Sequence, residues 1–118
     1  MTDKELLEAS ARAAGIEITE HEGVLFVQRS MVHKREWNPL TYDGDALRLA
    51  VKLELTINPY TRGVFVSRDE GEPVIRNEWS LDRAKTTRRA IVRAAAEIGS
   101  SHNAESNGRT SDPTRTPS

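Results

Sequence analysis

The chain has 118 residues, a formal net charge of -1 and no cysteine. A single domain is the norm at this length, and the lack of cysteine excludes disulfides, thiolate catalysis and thiolate metal sites. The near-neutral charge argues against general affinity for double-stranded DNA, because such binding depends on neutralising phosphates. No apolar run approaches the ~20 residues of a membrane span, and the first residues lack a signal-peptide pattern. We therefore expect a soluble protein of the cytoplasm.

The first predicted element is a helix that starts with a capping box. Thr2 and Glu5 have the required spacing, in which each side chain accepts from the other residue's amide. The predicted buried stripe consists of Leu6, Leu7, Ala11 and Ala14. Gly15 is suited to end the helix in a left-handed conformation. The many alanines predict that this helix packs closely on whatever it covers.

Residues 16–18 and 24–28 are rich in β-branched and aromatic side chains and flank a polar turn at 20–23, which predicts a β-hairpin. In the first arm, Ile16 and Ile18 should face inward and Glu17 outward. The second arm is apolar on both faces over residues 24–27, which is typical of a central strand or of one covered on both sides. Residues 29–36 are polar and locally basic, and we expect a loop or a strand extension there.

A second helix is predicted after Asn38-Pro39, because proline has no amide to donate and holds the preceding residue extended. Thr41 or Asp43 should cap it, with Asp43 and Asp45 at the positive end of the helix dipole. The predicted buried stripe consists of Ala46, Leu47, Ala50, Val51 and Leu53. Trp37 and Leu40 should pack back on the first turns.

Further along, strands are predicted at 55–57 and 64–66 around a turn at 58–63, followed by a turn at 69–73 and a brief edge strand at 74–75. Ser80 should cap the last helix, with Asp82 in its first turn and an end at Gly99. Its predicted buried stripe consists of Ala84, Thr87, Ile91, Ala94, Ala95 and Ile98.

This order of elements predicts one α+β domain over residues 1–99, with helices covering a mainly antiparallel sheet on both faces. Residues 100–118 contain mostly serine, asparagine, threonine, proline, glycine and arginine, and no apolar residue larger than alanine. Such a segment cannot offset the entropy lost on ordering. We therefore predict a disordered C-terminal tail over residues 100–118.

Two segments resemble the phage ABA sandwich domain family of small bacteriophage proteins. They are residues 37–53, WNPLTYDGDALRLAVKL, and residues 88–99, RRAIVRAAAEIG. The resemblance extends from the first helix to about Gly99, whereas residues 29–35 and the tail are particular to this chain. It implies an ABA sandwich in α-β-β-α-β-β-α order, and a bacteriophage or prophage accessory protein in the host cytoplasm. It implies no catalytic residue and no general activity.

Motifs for catalysis and for metal or phosphate binding are missing from the sequence. His21, His33 and His102 form no HxxxH or HxH pair, so zinc spacing is absent. Asp43 with Asp45, and the acidic turn at 69–72, are explained by helix capping and turn chemistry. There is no GxSxG motif and no glycine-rich phosphate loop. We predict no catalytic residue, no metal, no cofactor and no enzymatic activity.

The last helix carries a stripe of cations. Lys85, Arg89 and Arg93 recur at i, i+4 and i+8, with Arg88 beside them. One interpretation is a solvated helix face whose acidic partners come from other elements. The other is an anion or nucleotide site that adds cations from the basic segment and a tryptophan as a stacking platform. Its candidate residues are Arg29, Lys34, Arg35, Trp37, Lys85, Arg88, Arg89 and Arg93. Alternatively, Trp37 belongs to the core.

Three functional hypotheses follow. The first is a non-enzymatic accessory protein that binds a host or phage protein and forms a homo-oligomer through its alanine-rich helix faces. The second is capture of a nucleotide, such as a host signalling nucleotide, or of a short nucleic acid by the basic stripe. The third is a small hydrolase, to which no residue points.

Overall fold

The computed structural model describes residues 1–28, 33–68 and 74–109, with side chains described as far as Ser100. These residues form three helices and two three-stranded antiparallel sheets, which confirms the α+β class. In chain order the elements are α1 (Asp3–Ala14), β1 (Ile18–His21), β2 (Val24–Gln28), β3 (Lys34–Glu36), α2 (Asp43–Lys52), β4 (Leu55–Pro59), β5 (Gly63–Arg68), β6 (Val74–Glu78) and α3 (Arg83–Arg109).

Sheet A has the order β1-β2-β3. Glu22 and Gly23 both have positive φ, 52° and 82°, which is the two-residue turn that matches strand twist in a hairpin. The β2 strand is central, as predicted, with Leu25 buried and Val24 37% exposed. Residues 34–36, for which we expected a loop or a strand extension, form a separate strand, β3, which pairs antiparallel with β2. Residues 29–32 lie outside the described part.

Sheet B has the order β4-β5-β6. Its third strand, Val74–Glu78, is longer than the predicted strand at 74–75 and pairs with β5 from Gly63↔Glu78 to Ser67↔Val74. Val64 and Val66 face the helices and are fully buried. The opposite face is exposed at Thr56, Asn58 and Arg76. The turn predicted at 69–73 lies outside the described residues.

The α1 helix forms as predicted. The Thr2 amide donates to Glu5 Oε1 at 2.9 Å, the Glu5 amide donates to Thr2 Oγ1 at 3.1 Å, and Gly15 has φ 70°. All the residues predicted for its stripe are buried, and so are Ala9 and Ser10. Ala9 and Ser10 lie on a second face of α1, which is buried because α1 packs along α3.

The α3 helix contacts α1, α2, β5 and β6. The residues at its centre are buried around most of the helix circumference: Ala90, Ile91, Val92, Ala94, Ala95 and Ala96. Gly99 does not end the helix as predicted, since α3 continues to Arg109. Gly99 instead lies so close to the Ala9 carbonyl that a Cβ atom would not fit. Residues 110–118 of the predicted tail lie outside the described residues.

Predictions about the two helix starts were partly wrong. Tyr42 is the N-cap of α2 and makes no side-chain capping bond, so neither Thr41 nor Asp43 is the cap. Before α3, it is Asp82 whose Oδ1 accepts from the Lys85 amide at 3.0 Å. Ser80, the predicted cap, instead shares a hydrogen bond of 2.6 Å with the Thr86 hydroxyl.

The face that α2 buries also differs from the prediction. Ala46 and Ala50 are buried as expected, together with Leu49, but Leu47 and Val51 are 61% and 67% exposed. The apolar residues of this helix allow two orientations about its axis, one that buries Leu47 and Val51 and one that buries Leu49. The structure has the second orientation, which also buries Asp45. Trp37 is only 4% exposed, and Leu40 packs against the same core.

The helices in the described part of the chain do not combine the length and the apolar character that a bilayer crossing requires.

Candidate anion-binding groove

A groove of about 560 Å³ opens between the first half of α3 and strand β6. Its lining contains four cations, one acid and three neutral polar residues: Arg76, Lys85, Arg89, Arg93, Glu78, Asn77, Ser80 and Thr86. We call these residues the anion-binding groove. A concentration of cations from two separate elements gives this surface a positive charge that the chain as a whole, at -1, does not have.

The α3 side of the groove is built by helix periodicity. Lys85, Arg89 and Arg93 lie on successive turns, next to the buried face that fixes the rotation of the helix. Arg89 donates to Asp3 Oδ1 at 3.0 Å, and its side chain is 42% exposed. Exposed pairs of this kind contribute at most ~1 kcal/mol. The Arg89 guanidinium is therefore available for exchange with a stronger anion.

The β6 side of the groove contributes a cation that sequence reasoning missed. Arg76 lies over the Phe65 ring, 4.6 Å from its centroid, and also lines the groove. Beside it, Asn77 Oδ1 accepts a hydrogen bond from Arg93, which links β6 to α3. The available signal was the alternation of residues 74–78, which continues beyond the predicted strand at 74–75 and places Arg76 opposite in direction to Ile75.

One predicted member of the cationic stripe has a structural role. Arg88 donates from Nε to the Leu40 carbonyl at 2.9 Å and from a terminal nitrogen to Asp43 Oδ1 at 2.7 Å. Its side chain is 16% exposed. These contacts attach α3 to the loop that precedes α2, so Arg88 is already committed within the fold.

The remaining candidates do not join the groove. Lys34 borders a separate depression with Thr19, Glu20, His21 and Phe26, and Arg29 lies outside the described residues. Trp37 is a core residue whose amide donates to the Leu25 carbonyl at 2.9 Å. Because its ring is buried, Trp37 cannot serve as a stacking platform. Arg35 is held by a carboxylate of α2.

That carboxylate, Asp45, is fully buried and accepts three hydrogen bonds. The donors are the Asn38 amide at 2.9 Å and the guanidinium groups of Arg48 and Arg35, each at 2.8 Å. Burial alone would raise the pKa of Asp45, but these three donors together hold the pKa below its ordinary value. From the sequence, Asp45 was expected only to interact with the dipole of α2. The structure makes it the point at which β3, the Asn-Pro loop and α2 meet.

No group of three histidine, cysteine, aspartate or glutamate side chains within the described residues is arranged to hold a metal ion. No protein-family model matches the sequence, and neither a curated protein nor a solved structure matches it. The resemblance to phage ABA sandwich proteins thus stays a prediction from the sequence.

Proposed function

We propose that this protein is a non-enzymatic binding protein that captures a phosphate-bearing ligand, a nucleotide or a short nucleic acid, in the anion-binding groove. The observation that carries the proposal is the convergence of Arg76, Lys85, Arg89 and Arg93 from two elements on one cavity, whose lining includes a single acid, Glu78. An anion bound there would relieve repulsion among these like charges, which costs a few tenths of a kcal/mol per close pair.

The size and chemistry of the groove support a ligand of nucleotide size. Small-molecule sites generally occupy ~300–1,000 Å³, and the groove measures about 560 Å³. Three of its four cations are arginines, whose planar guanidinium groups form paired hydrogen bonds with phosphate oxygens. Asn77, Ser80 and Thr86 add neutral polar groups suited to ribose or base edges.

A thermal-shift experiment tests the proposal. Wild type is compared with the double variant Arg89→Gln, Arg93→Gln across a panel of nucleotides and inorganic pyrophosphate, with Lys34→Gln as a control that removes a cation outside the groove. A ligand at about 100 times its Kd stabilises a protein by about 2.7 kcal/mol. Wild type and Lys34→Gln should show such stabilisation, and the double variant should lose it. If no compound raises the melting temperature of the wild type, the proposal is wrong.

The biological setting is proposed on the resemblance alone. We place the protein in the host cytoplasm as a bacteriophage or prophage accessory protein, and the layer order of an ABA sandwich remains a prediction. Recovery of related genes only from cellular operons unrelated to prophages would count against this setting.

Homo-oligomer formation is a second proposal. Its support comes from α2 and not from the alanine-rich helix faces that the sequence suggested. The alanines of α1 and α3 are used within the chain, where Ala9 and Ala95 are fully buried. The exposed Leu47 and Val51 instead form an apolar patch on successive turns of α2. Light scattering after size exclusion should report an oligomer that Leu47→Glu dissociates. A monomeric wild type would remove this proposal and leave the anion-binding groove unaffected.

A further inference from the structure

The face of sheet B that points away from the helices carries an aromatic stack. Since Val64 and Val66 are buried toward the helices, the side chain between them, Phe65, lies on the other face. The strand register places Asn58, Phe65 and Arg76 side by side across the three strands. Asn58 and Arg76 are exposed and Phe65 is half-buried, so this face is open to solvent.

Two rings and one guanidinium are arranged as a column on this face. The Tyr60 and Phe65 rings stack with centroids 5.1 Å apart and planes 28° from parallel. The Arg76 guanidinium lies 4.6 Å from the Phe65 centroid. Cross-strand contacts of this kind stabilise a sheet. Phe65 lies between Tyr60 and Arg76, so Tyr60 is the ring at the end of the column on which an unpaired base can stack.

Arg76 connects this column to the anion-binding groove, because its guanidinium lies over Phe65 and the residue borders the groove. A chain of nucleotides crossing β6 would thus meet phosphate-binding cations from α3 on one side and stacked rings on the other. A free mononucleotide has one base and could use only part of this surface. In a duplex the bases are paired and stacked on each other, so they are not free to stack on the column.

We infer that the ligand is a single-stranded nucleic acid, whose phosphates lie in the anion-binding groove and one of whose bases stacks on Tyr60, the aromatic end of the column. This inference rests on the proposed function and specifies its ligand class. Positive grooves combined with aromatic platforms are the usual means of binding single strands without sequence preference. We therefore expect little discrimination between sequences.

The test is fluorescence anisotropy with labelled oligothymidylates, from the mononucleotide to the octanucleotide. Wild type should bind the longer oligonucleotides at least about tenfold more tightly than the mononucleotide, as expected for one or more added stacking contacts. Tyr60→Ala should weaken oligonucleotide binding by about tenfold and leave mononucleotide binding unchanged. Tyr60→Phe keeps the ring and should bind oligonucleotides as tightly as wild type does, which separates loss of the ring from loss of the hydroxyl. Mononucleotide binding by Tyr60→Ala shows that this variant is folded.

The two proposals fail in different ways. If the mononucleotide binds as tightly as the octanucleotide, or if Tyr60→Ala has no effect, the single-strand inference is wrong and the proposed function stands. Equal affinity for a duplex of the same length would also overturn the inference. If none of these compounds binds, and neither does pyrophosphate, both proposals are wrong.

Discussion

The carboxylate of Asp45 lies 2.8 Å from a guanidinium nitrogen of Arg35, which precedes it by ten residues. This contact ties strand β3 to the first turn of α2. It explains why α2 buries Ala46 and Leu49 and exposes Leu47, since rotating the helix to bury Leu47 would carry Asp45 away from Arg35. An ion pair thus sets the rotation of a helix whose apolar residues alone leave two choices.

Replacing Asp45 should destabilise the protein substantially. Asp45→Asn weakens two charge-assisted hydrogen bonds from arginines and leaves a neutral amide in a fully buried position. Hydrogen bonds to charged groups contribute ~1.5–3 kcal/mol each, but Arg48 and Arg35 retain 64% and 33% exposure and can turn to water. We expect a loss of ~2–3 kcal/mol in the free energy of unfolding, measured by urea denaturation.

The matched control for Asp45 is Asp43→Asn, in the same helical turn. The Asp43 side chain is 79% exposed, so its pair with Arg88 should contribute at most ~1 kcal/mol. Equal losses for the two variants would show that the buried ion pairs of Asp45 contribute no more to stability than the exposed pair of Asp43.

The same residue should make stability depend on pH in acid. The pKa of Asp45 is lower in the folded protein than its ordinary value of 3.8, so the unfolded chain binds more protons in acid than the folded one. The stabilisation is therefore fully present above about pH 4 and is lost as the pH falls through the lowered folded pKa. The acid limb of a denaturation series should be shallower in Asp45→Asn. An unchanged acid limb would contradict the assignment.

Arg88 and Arg89 are neighbours that should have opposite phenotypes. Arg88→Ala removes hydrogen bonds to the Leu40 carbonyl and Asp43, so it should lower the free energy of unfolding by ~1–3 kcal/mol and leave anion affinity unchanged. Arg89→Gln should weaken anion binding with a stability change below ~1 kcal/mol. Denaturation and pyrophosphate titration of both variants measure these effects. If both variants weaken anion binding equally, Arg88 belongs to the binding site together with Arg89, as the sequence suggested.

Gly99→Ala should destabilise the contact between α1 and α3. Alanine is favoured over glycine in a helix by up to ~1 kcal/mol, but here its Cβ would overlap the Ala9 carbonyl, which belongs to the backbone and cannot move aside cheaply. Overpacking of this kind costs ~1–3 kcal/mol, so we expect a net loss. Gly44→Ala is the control, because the three atoms nearest to its Cβ would all belong to the flexible end of the Arg48 side chain, at 3.2–3.6 Å. A more stable Gly99→Ala variant would contradict the close helix approach.

Local signals in the sequence predicted the parts of the fold that depend on neighbouring residues. The capping box of Thr2 and Glu5, the left-handed Gly15 and the central position of β2 all follow from short-range preferences. The rotation of α2 could not be predicted in the same way, because it depends on Arg35, a residue of another element. The continuation of α3 past Gly99 has a similar cause, since that glycine serves a contact with α1 and not a helix end.

The α3 side of the anion-binding groove could be predicted from the sequence, and the β6 side could not. Helix periodicity alone placed Lys85, Arg89 and Arg93 together, because spacing along one helix is fixed. It could not show that Arg88 is turned toward Leu40, nor that Arg76 of β6 completes the groove. Tertiary packing decides which strand lies next to a helix, and the residues around each element in the sequence do not reveal that packing.

The location of anion binding is tested most directly by titrating the ¹⁵N-labelled protein with pyrophosphate and recording ¹H–¹⁵N correlation spectra. Amide shifts should concentrate at residues 76–80 and 85–93, which border the anion-binding groove. Shifts concentrated at Lys34–Glu36, or no shifts at millimolar pyrophosphate, would contradict the account.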